Sequence, residues 1–321
     1  MDNQFFTARN PEIRLFAILA IVLSFLLVGS IIFSLKGEKG DNSRASETAS
    51  KSFPQVKIGA KAVYVYDIRT KSVLFAKNEN TRLPLASLTK IMSALVAKDS
   101  SPLYGTVRVT VEALNAEGDS GLYKDEQWSL QDLLDFSLIT SSNDGIRAVA
   151  LSLGALSKAN ATTEEIINDF VGEMNHRAGV LGLKDTYFWN ETGLDLPPES
   201  GSSLIKGGAY GSAKDMSTLL EYILVDHSEL FAATRVAQTT IKSIDNHQHI
   251  ARNTNDITNE IPGLLASKTG FTDTAGGNLV FIFDPELGRP IIISILGSTE
   301  EGRFDDARVL ISSVMEYLKN N

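Results

Sequence analysis

The stretch LPLASLTKIM, residues 83–92, places a hydroxyl, Ser87, three residues ahead of an amine, Lys90, between apolar neighbours. On a helix this spacing puts both side chains on one face, one turn apart. Ser87 would sit at or near the helix N-terminus, where free N–H groups and the positive end of the dipole lie. Packed among Leu85, Leu88, Ile91 and Met92, the Lys90 ammonium would be partly desolvated, which favours its neutral form. A neutral amine beside a serine can take its proton, which gives a nucleophile and a base within four residues. The pattern alone is weak, since a capping serine and a surface lysine share it. A second match, SLIK at 203–206, lies among glycines with no long apolar helix after it.

Two further short stretches offer complementary groups. Ser141-Ser142-Asn143 falls between two helix-like runs and reads as an exposed loop presenting a hydroxyl (Ser141) and an amide (Asn143). Taken alone, it reads equally well as a helix N-cap. Lys268-Thr269-Gly270 ends the strand-like GLLAS and supplies a cation, a hydroxyl and a residue without a side chain. HQH, 247–249, puts two histidines on one face of a strand, but no third ligand is apparent nearby, and surface histidines explain it better than a metal site. No metal and no cofactor is expected.

The elements that must position these groups are readable from periodicity. KAVYVYDI (61–68) and SVLFAK (72–77) form a hairpin pattern. Helical spacing marks 87–98, 129–140, 143–153, 162–182, 212–226 and 300–320, while RVTVEAL (108–114) looks like a strand. The helix at 162–182 carries acids at its start and Gly at its end, and Ser129 followed by Asp132 reads as a cap. QTTIKSI, GLLASKTG, GNLVFIFD and RPIIISILGS read as strands, the last two as a hairpin around PELG. Strands at both ends with helices between predict an α+β domain whose sheet joins N- and C-terminal strands.

The chain has 321 residues, 43% hydrophobic and 21% charged, an ordinary globular balance. A net charge of -9 argues against a nucleic-acid partner, which usually leaves a basic footprint. With no cysteine, disulfides, thiolate zinc sites and a cysteine nucleophile are excluded. Residues 15–35 form an uncharged apolar run long enough to cross a bilayer, and longer than the apolar region of a cleaved signal peptide. The expected organisation is a short cytoplasmic tail (1–14), a transmembrane anchor (15–35), a flexible linker rich in Gly, Ser and Lys (36–53) and one soluble domain (54–321). Flanking charges leave the orientation of the anchor open.

The order of serine–lysine helix, Ser-x-Asn loop and Lys-Thr-Gly strand resembles the penicillin-binding proteins and serine β-lactamases. LPLASLTKIMSALVA, TSSNDG, WNETGL, AYGSAKDMSTLLEYIL and LLASKTGFTDTAGGNLVF together resemble the low-molecular-weight D-alanyl-D-alanine carboxypeptidases, peptidase family S11, over residues 54–320. The resemblance implies a β-lactamase/transpeptidase-like fold with a helical subdomain, and hydrolysis of peptidoglycan stem peptides ending in D-Ala-D-Ala through an acyl-enzyme that β-lactams mimic. It implies Ser87 as nucleophile, Lys90 as base, Ser141 as proton relay and Asn143 as holder of the substrate amide. Lys268 and Thr269 would receive the terminal carboxylate, Gly270 would let substrate backbone pair along the strand edge, and the N–H groups of Ser87 and Phe271 would form the oxyanion hole.

Three positions depart from the family pattern. Ser142 stands where a glycine is frequent, which should matter little. Gly277 and Asn278 stand where an aromatic residue and a cysteine are common, which should alter the pocket wall. A peptidoglycan substrate lies outside the cytoplasmic membrane of a bacterium, so the domain should be extracytoplasmic on a single-pass anchor. The alternatives are a D,D-endopeptidase, a β-lactamase with Glu191 holding the deacylating water, and a non-catalytic penicillin-recognising sensor.

Overall fold

The computed structural model describes residues 52–321 apart from 158, 159, 199 and 201. The expected tail, the anchor at 15–35 and nearly all of the linker lie outside the described residues. Strands β1 (Ala62–Asp67) and β2 (Ser72–Lys77) form the hairpin predicted at this point. Strand β3 (Leu83–Pro84) runs into a 3₁₀ turn, Ala86–Leu88, and then helix α1 (Thr89–Ser100). Strands β4 (Thr106–Arg108) and β5 (Gln127–Ser129) pair, with the single-turn helix α2 (Val111–Leu114) between them. Helices α3 (Leu130–Thr140), α4 (Asn143–Ser157) and α5 (Thr163–Val180) follow. Strands β6 (Tyr187–Phe188) and β7 (Ala209–Gly211) precede helix α6 (Ala213–Asp226). The hairpin β8 (Gln238–Lys242) and β9 (Gln248–Arg252), strands β10 (Leu264–Thr272), β11 (Gly276–Phe283) and β12 (Ile291–Ser298), and helix α7 (Gly302–Asn320) complete the chain.

The main sheet is antiparallel in the order β10-β11-β12-β1-β2, so the N-terminal hairpin joins the C-terminal strands through β1 and β12. Its inner strands are buried on both faces, and period-2 alternation sorts their side chains between two cores. Val63, Val65, Phe281, Ile293 and Ile295 pack with Phe304, Ala307, Leu310 and Val314 of α7. Tyr64, Val280, Ile282 and Ile292 share the other core with α1, α3, α4 and α6. On that face the Ser217 hydroxyl of α6 meets Ser294 of β12 at 2.8 Å.

Helix α1 is buried along its length from Thr89 to Ala97, the mark of a helix surrounded by others. The starts of three helices are capped: Ser129 accepts from the Asp132 N–H as the sequence suggests, Thr162 and Glu165 form a capping box, and Ser212 accepts from the Asp215 N–H. Each such cap stabilises by about 1 kcal/mol.

Three expectations change. RVTVEAL is not one strand: β4 stops at Arg108, and Thr110 caps the turn of helix that follows. The Ser-x-Asn segment is a tight helix junction, not an exposed loop. Ser141 ends α3 in the left-handed region (φ 61°), Ser142 is buried and Asn143 already begins α4. The two histidines of HQH do not share an exposed face. His247 is exposed, while His249 on β9 is buried against Trp128 and Phe136 and bonds Glu126 at 2.6 Å.

Candidate active site

The 3₁₀ turn that carries Ser87 leads directly into α1, so Ser87 and Lys90 lie one turn apart as their spacing requires. Lys90 Nζ and Ser87 Oγ are 2.7 Å apart, and Nζ also donates to the Thr192 carbonyl at 3.0 Å. Lys90 is fully buried, and burial brings its amine down to about 7, against a smaller opposing pull from the Glu191 carboxylate. At neutral pH a large share of Lys90 is therefore unprotonated, with its lone pair 2.7 Å from the hydroxyl. The segment around Thr192 is fixed on α1 by Ser93, whose hydroxyl donates to the Glu191 carbonyl at 2.6 Å. The Glu191 side chain is buried and accepts from Arg147 of α4 at 3.1 Å.

Among the described residues strand β10 is an edge of the main sheet and pairs only with β11, so its outer side is free to face the Ser87 turn. Lys268 Nζ reaches across to Ser141 Oγ at 3.0 Å and to the Thr269 carbonyl at 2.8 Å. Burial, with Lys90 and Arg303 nearby, pushes the Lys268 amine well below its ordinary value. The Thr269 hydroxyl bonds that of Thr254, and of two hydroxyls so paired one proton remains available to a further acceptor. Gly270 has a requirement beyond exposing a strand edge: a Cβ there would lie 2.8 Å from the Leu85 carbonyl oxygen and 3.2 Å from the Ser87 nitrogen. The missing side chain lets the nucleophile turn rest on β10. Phe271, one residue on, is 42% exposed at the surface.

Around the Ser-x-Asn junction the loop at 117–120 is latched down. Ser120 bonds the Ser142 hydroxyl at 2.6 Å and the Asp144 carboxylate at 2.9 Å. Ser142, whose departure from glycine was expected to matter little, also accepts from the Gly145 N–H at 2.9 Å and so carries part of the local structure. Asn143 donates to the Glu117 carbonyl at 2.7 Å. A cleft of about 340 Å³ opens here, lined among others by Glu117, Ser141, Asn143, Ile250 and Arg252.

The fold thus brings Ser87 against Lys90, Ser141 against Lys268, and Gly270 against the Ser87 turn. Ser203 and Lys206 of the second Ser-x-x-Lys match are exposed. Asn278, expected in the pocket wall, is wholly buried beneath it. Sequence reasoning missed Arg303, a buried guanidinium whose Nη1 donates to the Gly270 carbonyl at 3.1 Å. The signal was present: Arg303 lies on the same buried face of α7 as Ala307, Leu310 and Val314, where a cation needs a reason.

The profile of peptidase family S11, D-alanyl-D-alanine carboxypeptidase, matches residues 46–299. D-alanyl-D-alanine carboxypeptidase DacF of Bacillus subtilis is 30% identical over 263 residues, 79% of this chain and 60% of DacF. A D-alanyl-D-alanine endopeptidase of Pseudomonas aeruginosa is 30% identical over 234 residues, 70% of this chain and 67% of that protein. Penicillin-binding protein D2 of Listeria monocytogenes, solved with ampicillin bound, superposes with a TM-score of 0.65 at 26% identity, covering 81% of this chain and 99% of that one. The catalytic-type geometry and these likenesses agree, and the chain belongs to the S11 family of D-alanyl-D-alanine carboxypeptidases.

Proposed function

We propose that this protein is a serine-type D-Ala-D-Ala carboxypeptidase of peptidoglycan stem peptides, inhibited by β-lactams. The observation that carries the reading is the buried Lys90 amine, brought to about 7 and 2.7 Å from Ser87 Oγ. Carboxypeptidase relatives and the ampicillin-bound Listeria structure support it.

In this reading Lys90 takes the Ser87 proton as Oγ attacks the carbonyl of the penultimate D-Ala. The C–O bond forms and the negative charge falls on the carbonyl oxygen, received by the N–H groups of Ser87 and Phe271. Removal of one oxyanion donor costs about 3–4 kcal/mol of barrier. The C–N bond then breaks, and the terminal D-Ala leaves with a proton returned through Lys90 and Ser141. Water attacks the ester with the same base and restores Ser87. Asn143 holds the peptide amide, Lys268 and Thr269 receive the terminal carboxylate, and Gly270 keeps the strand edge close to the acyl carbon.

The domain, residues 54–321, would act outside the bacterial cytoplasmic membrane, tethered by residues 36–53 to a single span at 15–35 behind a tail of residues 1–14. Deleting residues 1–35 should then move the protein from the membrane pellet to the supernatant. The endopeptidase relative favours a second reading, cleavage of crosslinked stem peptides, which digestion of a crosslinked muropeptide dimer separates from release of terminal D-Ala.

Intact mass after mixing with penicillin tests the principal reading. A persistent adduct of one drug, absent from Ser87→Ala, is expected. An unmodified wild-type chain with a native melting transition would sink it, and rapid loss of the adduct would point to a β-lactamase.

A further inference from the structure

Asn278 has no polar atom left over and reaches further than its place on a central strand suggests. It is wholly buried on β11, opposite Gly270 of β10. Cross-strand partners project to the same face of a sheet, and on this face Gly270 has nothing to project. The Asn278 amide uses the space. Its Nδ2 donates to the Pro84 carbonyl at 3.0 Å and to the Leu85 carbonyl at 3.1 Å. Its Oδ1 accepts from the Gly297 N–H at 2.8 Å.

The acceptor side has a structural origin. The β11–β12 register shifts between Gly277 and Leu279, and Gly297 stands there at φ 68°. A bulge removes an N–H from the ladder, and Asn278 takes it up. The donor side bears on the nucleophile. Leu85 immediately precedes Ala86, which sits at φ 50° without being a glycine, and Ser87 follows. Such a conformation persists only where surroundings over-determine it. Leu85 is fixed from one side by its N–H, which donates to the Ala209 carbonyl at 2.9 Å. From the other side it is fixed by Asn278.

We propose that Asn278 is a positioning residue for the nucleophile: by gripping the carbonyls of Pro84 and Leu85 while anchored on the β12 bulge at Gly297, it holds the Ala86–Ser87 turn so that Ser87 Oγ faces Lys90 and Ser87 N–H faces β10. This rests on the reading of Ser87 as the acylated serine. The grip needs a donor of two protons and an acceptor on one short side chain, which an amide supplies. Aspartate keeps the shape and loses both donated bonds. Serine retains one donor.

The test uses the full chain in detergent, with Asn278→Ala, Asn278→Ser and Asn278→Asp beside wild type and Ser87→Ala. A fluorescent penicillin counts reactive sites, a thermal melt checks folding, and stopped-flow acylation separates noncovalent affinity from the acylation rate constant. In Asn278→Ala and Asn278→Asp the rate constant per titratable site should fall roughly 10²-fold, the scale of a small misplacement of reacting atoms, with affinity nearly unchanged. Asn278→Ser should recover part of the loss.

A rate constant within about threefold of wild type at the remaining reactive sites would overturn the inference, because Asn278 would then support only folding. Failure of both Asn278→Ala and Asn278→Ser to give any titratable protein would overturn it for the same reason. An unlabelled wild-type chain would remove the reading of Ser87 and this inference together. A labelled wild type with unchanged variants would remove this inference alone.

Discussion

Lys90 is an expensive residue in this position. Its amine would hold a proton up to about 10.5 in an exposed chain and is brought to about 7 in the folded one. Between those values the unfolded chain binds more protons than the folded one, so stability rises with pH across that window. The cost is fully present below about 7 and vanishes above about 10.5. Lys90→Met should therefore be more thermostable than wild type at pH 7 and lose acylation by roughly 10²–10⁴-fold. Its melting-temperature advantage should shrink as pH approaches 10, and an advantage that does not change with pH would contradict this account. Acylation by penicillin should rise with pH through about 7 as Lys90 deprotonates. The Glu191 carboxylate opposes the effect of burial, so Glu191→Gln should move that rise to lower pH. Lys268, Arg303 and Arg147 also face this region, and their charges are unaltered by that change. A rise that stays in place or moves to higher pH would show that Glu191 does not act on Lys90.

At the scale of elements, the helices and main strands were legible because each obeys a local period and local caps. The Ser129 cap and the acids that open the helix at 162–182 are written in adjacent residues, and the strands of the main sheet carry long apolar runs. What was not legible depended on distant partners. RVTVEAL alternates like a strand, yet β4 ends where its antiparallel partner β5 begins, and Thr110 then finds a helix turn to cap. The buried state of Ser142 follows from Ser120, and that of His249 from Glu126, each remote in sequence. The roles of Arg303 and Asn278 were hidden for the same reason: both act on backbone carbonyls of other elements. One such remote tie is Asp306 of α7, which accepts from the N–H groups of Gly59 and Ala60 at 2.7 and 2.8 Å and from the Ser298 hydroxyl at 2.8 Å. Asp306→Ala leaves those donors short of partners and should cost at least ~2 kcal/mol in denaturant unfolding. Penicillin acylation of the protein still folded should be unaffected, and a loss below about 0.5 kcal/mol would show that water replaces the carboxylate without penalty.

The site lies where a sheet edge meets a buried helix, so its geometry belongs to the whole domain. Ser87 comes from the 3₁₀ turn before α1, Lys90 from α1, Ser141 from the α3–α4 junction, and Lys268 and Gly270 from β10. No covalent crosslink holds these parts together, because the chain has no cysteine. What holds them is a shared interior: residues of the sheet (Tyr64, Val280, Ile282, Ile292) and of the helices (Leu95, Leu134, Ile146, Leu219) belong to one continuous core. The sheet itself cannot close early in the chain, since β1 pairs with β12 more than two hundred residues later. Contacts of this separation make folding slow. Trp128 reports on the helical side, where it is buried against Phe136, while far-UV circular dichroism averages over the domain. With Trp189 replaced by Phe so that Trp128 is the sole tryptophan, thermal unfolding followed by selectively excited tryptophan fluorescence and by dichroism should coincide. The Trp128 signal should not respond first to truncation at the sheet: removing residues 291–321, which carry β12 and α7, should abolish both transitions together. A fluorescence transition that survives truncation, or that precedes the dichroism change, would mean that the helical part folds alone. The two halves of the site would then be held together by weaker forces than a common core.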